Sequence, residues 1–166
     1  LRLRLRRWSI KSLWLCWLLC ATGLVQAAAP TLEHLYPAGA RRGTTNIVTV
    51  VGKLDPWPVE VWMDDPRVQF KAEKDKGKFR VIVSPEAEIR PHLVRLYNAE
   101  GASTVRFFLV SDTAEVEEKE PNEDFRKPQV IDKLPIIVNG RMEKNGDVDS
   151  FVVKVEAGQW LIASME

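Results

Sequence analysis

Cysteine is nearly missing from this 166-residue chain, and its two copies, Cys16 and Cys20, both lie within the first twenty residues. Beyond residue 20 there is thus no disulfide, no thiol nucleophile and no cysteine metal site, so packing must hold whatever folds there. Histidine is as sparse. His34 and His92 stand far apart, each followed by leucine in a β-rich context, which gives neither a histidine metal set nor a Ser-His-Asp arrangement. No G-x-S-x-G, H-E-x-x-H or glycine-rich phosphate loop occurs, and these residues read as non-catalytic. Long apolar runs are missing too. The most apolar stretch, Leu13 to Val25, is 13 residues, short of the ~20 that cross a bilayer.

What stands at the N-terminus has the three-part layout of a cleavable export signal. Arg2, Arg4, Arg6, Arg7 and Lys11 form a cationic start, the apolar stretch follows, and Val25-Gln26-Ala27 puts small residues at the cleavage positions. Cleavage after Ala27 is expected, with Ala28 or Ala29 as alternatives, by the general secretory route, because Ser9 breaks the twin-arginine pattern. Leu15 and Leu19 precede the cysteines where lipidation needs a small residue. The segment holds five of the 24 basic residues and none of the 23 acidic ones. The remainder therefore carries 19 against 23, a net of −4, and nucleic-acid binding loses its electrostatic basis. With Leu1 at its start and Glu166 directly after an apolar run, the sequence reads as part of a longer exported protein, periplasmic, secreted or at the cell surface, without a stable membrane span once the signal is cut.

From Pro30 onward short β segments alternate with Gly, Pro and Asp, and no long stretch has helical period. Strands are expected over Leu32–Tyr36, Thr45–Val51, Val59–Met63, Val68–Ala72, Lys78–Val83, His92–Tyr97 and Thr104–Val110. Phe79, Val81 and Val83 share one face, as do Val105, Phe107 and Leu109. Seven short strands at this spacing predict an antiparallel sandwich of immunoglobulin type over residues 30–111. Residues 112–128, crowded with Glu115, Glu117, Glu118, Glu120, Glu123 and Asp124, read as an acidic linker. Residues 129–166 then supply strands at Ile136–Met142, Phe151–Val155 and Trp160–Ser164, the opening of a second β-sandwich. So few strands leave an open edge and an uncovered apolar face, so this part is not expected to fold fully alone.

Two stretches resemble known families. Pro37-Ala38-Gly39, Arg42-Gly43-Thr44-Thr45 and Val50-Val51-Gly52 resemble the first hairpin of IPT/TIG immunoglobulin-like domains. Glu120-Pro121-Asn122-Glu123, Val138-Asn139-Gly140, Gly146-Asp147-Val148-Asp149-Ser150-Phe151 and Ala157-Gly158-Gln159 resemble, in order, the bacterial pre-peptidase C-terminal (PPC) domain, although Glu123 stands where Asn or Asp is commoner. The second resemblance implies a jelly-roll-like sandwich that accompanies secreted proteases and other exported proteins. It also implies calcium, with Glu118, Glu120, Asn122 and Glu123 as ligands from the acidic run and Asp147 and Asp149 from the later turn. Their chemistry suits that ion, which takes six to eight oxygen ligands. On residue pattern alone the glutamate run is a solvated linker and the aspartates cap their own turn.

Elsewhere the residue patterns point to structural roles. Asp64-Asp65 is taken as a solvated turn before Pro66, Arg41-Arg42 as a solvated loop, and Trp57, between Pro56 and Pro58, as packing over a sandwich end rather than gripping a ligand. The function expected is an exported, non-catalytic binding or scaffolding portion whose partner is a protein or a polysaccharide. The alternative is the accessory region of a secreted hydrolase, most plausibly a protease. A carbohydrate-binding sandwich would require two or three coplanar exposed aromatics.

Overall fold

The computed structural model describes residues 28–165, and the expected export signal lies outside the described residues. All regular structure among the described residues is β. One sheet joins β1 (His34–Tyr36), β3 (Thr45–Val51), β6 (Lys78–Val83) and β5 (Val68–Ala72) in the order β1-β3-β6-β5, all antiparallel. The other runs β2 (Gly39–Arg41), β9 (Arg106–Ser111), β7 (Arg90–Asn98), β4 (Glu60–Met63), with β8 (Gly101–Ala102) closing a hairpin on β7. Strict alternation builds the interior. Val48 and Val50 of β3, Phe79, Val81 and Val83 of β6, Val94 and Leu96 of β7, and Phe108 and Val110 of β9 are all buried.

Aromatic contacts tie the sheets together. Phe70 of β5 meets Phe79 edge-on at 5.9 Å on its own sheet and Phe108 at 5.3 Å on the facing one, a geometry favoured by ring quadrupoles. The chain enters by β1 on the first sheet and crosses at Pro37-Ala38 to β2, which lies parallel to β9 on the second. No strand was expected between Tyr36 and Thr45. The crossing depends on Gly39, where a Cβ would come within 2.5 Å of the Leu109 carbonyl oxygen, so only glycine admits the pairing. A four-stranded sheet facing β9, β7 and β4, with the first strand split between the two, is the strand order of an immunoglobulin-like sandwich.

The chain continues into a different kind of structure. Within the run read as a linker, Glu115–Glu117 form β10, paired parallel with β12 (Ile137–Asn139). Gln129–Ile131 form β11, parallel with β13 (Phe151–Val153). β11 was not anticipated, and Trp160–Ser164, expected as a strand, has no regular structure. Parallel pairs are ordinarily buried on both faces, yet Val130 and Val152, opposite each other in the second pair, are exposed. Tyr36 joins the two units: its hydroxyl donates to the Asn139 carbonyl at 3.1 Å, and the Arg141 guanidinium lies 4.3 Å from its ring centre.

Candidate cation site beside the first parallel pair

The acidic run gathers around one carboxylate. Glu118 follows β10, and its N–H extends the pairing by donating to the Asn139 carbonyl at 2.9 Å. Gly140 then leaves room for the side chain, since a Cβ there would stand 3.1 Å from Glu118 Oε2. That oxygen accepts the Arg141 N–H at 2.7 Å, while Oε1 accepts Nδ2 of Asn122 at 2.9 Å. The Asn122 N–H in turn donates to Glu120 at 3.1 Å. From the far side, the Ser150 N–H donates to the Asn122 carbonyl at 3.1 Å, which brings Asp149 against the run.

Glu118, Glu120 and Asp149 each place one carboxylate oxygen so that all lie within 4.8 Å of one another. Asn122 is 1% exposed with a partnerless Oδ1, and Asp149 Oδ1 is likewise buried without a partner. Buried polar atoms are seldom left so. An all-oxygen set with two orphaned acceptors fits a hard cation such as Ca²⁺. Of the other two ligands expected, Asp147 is buried, but its Oδ2 accepts the Glu143 N–H at 2.6 Å. Glu123 turns to Lys144, whose Nζ donates to it at 2.6 Å and lies 3.7 Å from Asp147. Four of the six expected residues thus converge, and two are engaged by Lys144 and its neighbour.

Charge at the site is poised against itself. Burial pushes the Asp149 carboxyl up to about 6, reinforced by its hydrogen bond to Glu118 and by the negative charges of Glu118, Asp147 and Glu120. Burial pushes Glu118 the same way, but the Arg141 N–H, the Asn122 amide and the bond from Asp149 outweigh it and leave it lowered. Glu120 is raised by burial and by its acidic neighbours. A divalent cation would neutralise this repulsion. Sequence reading missed Gly140 and Arg141, although the glycine in Val138-Asn139-Gly140 was the available signal.

A second polar cluster corrects the reading of Asp64-Asp65 as solvated. Asp65 is 2% exposed and accepts from the Arg67 backbone N–H at 2.9 Å and from Arg67 Nε at 2.8 Å. The Arg67 hydrogen bond holds the Asp65 carboxyl down to about 2. Asp64 bonds fully buried His92 at Nδ1, 2.8 Å, and Arg90 at 2.9 Å, while His92 Nε2 faces the Glu88 carbonyl at 2.9 Å. Of two consecutive aspartates on a bend, Asp64 reaches buried His92 across the sandwich end while Asp65 is held by Arg67 two residues on, an outcome their spacing could not reveal. The side-chain polar atoms of Asp64, Asp65 and His92 are all engaged by protein, so the cluster ties the β4–β5 and β6–β7 connections together. Trp57 packs edge-on against Phe79 at 5.2 Å and donates its indole N–H to the Glu73 carbonyl at 3.2 Å.

No protein-family model and no curated protein matches this sequence. Among solved structures, the chain is similar to a chimeric titin Z1Z2 carrying a KLER peptide from decorin, with 19% identity over 50% of this chain and 94% of that one, at a TM-score of 0.29. It is also similar to a titin Z1Z2-Z1Z2 tandem carrying a GRGDS peptide from fibronectin, with 18% identity over 51% of this chain, a TM-score of 0.29, and half of the tandem's length spanned. The immunoglobulin-like assignment rests on the strand order itself. Among the described residues no helix is long and apolar enough to cross a membrane.

Proposed function

We propose that the chain is the exported, non-catalytic binding and scaffolding portion of a larger secreted bacterial protein, with an IPT/TIG-like sandwich followed by the opening of a PPC-like unit that takes up calcium. The observation that carries this reading is the convergence of Glu118, Glu120 and Asp149 around buried Asn122 with its orphaned oxygen. Glu118, Glu120, Asn122 and Asp149 would hold the ion, with Asp147 adding negative charge close by. Calcium would supply countercharge that joins the acidic run to the 147–150 turn, in a unit whose apolar core is too small to fix that arrangement. Export is argued from the signal-like segment, and would put the protein in the periplasm, at the cell surface or outside the cell.

Calorimetric titration of the full chain with Ca²⁺ tests the site. One saturable binding event is expected, lost in Glu118→Gln and Asp149→Asn and not reproduced by Mg²⁺, which demands a tighter octahedral shell. Absence of heat at millimolar Ca²⁺ would remove the reading. The ordered PPC-like motifs also favour an accessory role beside a secreted protease, and coding sequence downstream of Glu166 that specifies a catalytic domain would select it.

A further inference from the structure

The two outer faces of the sandwich differ. On the β3-β6-β5 sheet, Lys71 pairs with Arg80 and Lys78 with Thr49 in register, so charged side chains surround the exposed Ile47. On the opposite sheet the residues that alternate with buried His92, Val94 and Leu96 are Leu93, Arg95 and Tyr97 of β7. Register sets Trp62 of β4 directly across from Arg95, and Phe107 of β9 directly across from Leu93. Leu109 lies two residues along β9 on the same side. Phe107 is 67% exposed, and Trp62 and Tyr97 are exposed as well. Directly opposed side chains on a sheet stand about 5 Å apart and diagonal ones about 7–8 Å, so these six form one continuous surface.

Arg95 occupies its middle. The guanidinium lies 5.9 Å from the centre of the Trp62 ring, and Nε is buried with no hydrogen-bond partner. Arg67, Arg80 and Arg90 each hold a carboxylate within 3.0 Å, whereas Arg95 makes no ion pair among the described residues. A half-buried guanidinium without an ion-pair partner, its Nε shut off from water and its surroundings aromatic and leucine side chains, is the complement of a carboxylate carried between apolar groups. Trp, Tyr and Arg together, with aliphatic neighbours and no lysine, is also the make-up of the energetic centre of protein interfaces. A sugar chain suits the face less well. Its many hydroxyls need polar partners, and the face offers few: the Arg95 guanidinium, the Trp62 indole N–H, the Tyr97 hydroxyl and Glu60 at the margin.

We propose that the outer face of β4, β7 and β9 is a protein-docking surface, and that its occupant is a segment of a partner protein that sets an aspartate or glutamate carboxylate on Arg95 between apolar side chains. The inference deepens the reading of the chain as a binding module and does not depend on the cation site.

The test selects, on the immobilised full chain, two display libraries of twelve-residue peptides with randomised flanks, one with a fixed central Asp and one with a fixed central Asn. The Asp library is expected to enrich at least tenfold over the Asn library, with apolar residues beside the fixed position. Arg95→Gln should erase that preference, Phe107→Ala should weaken selected peptides at least tenfold, and Lys71→Ala on the opposite face should leave them unchanged. Thermal midpoints checked alongside identify any variant that fails to fold, and exposed Phe107 provides the reserve. Equal enrichment of both libraries, failure of both to enrich, a preference that survives Arg95→Gln, or binding confined to a glycan array would each overturn the proposal. Asp-library enrichment without any calcium heat would uphold it while removing only the cation reading.

Discussion

Residues 30–111 bury sixteen apolar side chains between two sheets, whereas the described residues from 112 onward bury one, Ile131. The same chain thus uses two means of holding itself together. The first unit closes by hydrophobic packing, with aromatic edges locking sheet to sheet, and uses polar chemistry only to secure its connections. The second makes two short parallel pairs, leaves large apolar side chains in water, and concentrates its buried groups in an acidic cluster. Burying one large apolar side chain is worth about 1.5–3 kcal/mol, so the difference decides which unit stands alone. Under the calcium reading proposed above, a cation bound by several oxygens of the acidic run would supply the cohesion that apolar burial does not.

The comparison can be broken from either side. The largest expected effect is Phe108→Ala, which removes the ring that Phe70 meets across the core; it should cost about 3–5 kcal/mol in urea unfolding of the first unit and leave calcium binding in the second intact. Loss of both together would mean the units are not separately stabilised. Next comes calcium. At a hundredfold excess over its dissociation constant it should stabilise the second unit by about 2.7 kcal/mol, read as slowed amide exchange over 115–153, with the β3, β6, β7 and β9 amides unmoved.

Acid sharpens the comparison from the first unit's side. The Asp65 carboxyl lies lower in the folded protein than its ordinary 3.8, so its contribution is fully present above that value. It is lost as pH falls through about 2, and amounts to about 2 kcal/mol. Asp65→Asn should flatten this part of the stability–pH curve, measured by urea midpoints between pH 2 and 5. The smallest effect is expected at the joint. Tyr36→Phe removes the bond to the Asn139 carbonyl but keeps the ring beneath Arg141, and should cost about 0.5–1.5 kcal/mol without changing either unit's core, as read by thermal scans.

Much of the first unit was legible because its strands have one wet and one dry face, and alternation such as Phe79-Arg80-Val81 records that directly. The split of the entering strand was not, because Gly39-Ala40-Arg41 carries no β signal of its own and pairs only because β9 lies beside it. The second unit was half legible. Glutamates in the 115–124 run look the same whether solvated or paired, and β10 exists only through its contact with Ile137–Asn139. At the candidate site the choice of residues came from the resemblance, while the division among them, Glu123 turning to Lys144 as Glu118 and Asp149 turn to each other, is a long-range outcome. The aromatic outer face was missed for a related reason: Trp62, Arg95 and Phe107 lie on three strands, and only the register assembles them.

The central claim, that packing closes the first unit while a cation completes the second, is tested most directly by amide exchange on the full chain with and without millimolar Ca²⁺. The account predicts strong metal-independent protection in β3, β6, β7 and β9, and protection of Glu115–Val153 that develops only with calcium and disappears in Asp149→Asn. Equal protection of both units without metal, or a second unit unmoved by calcium, would contradict it.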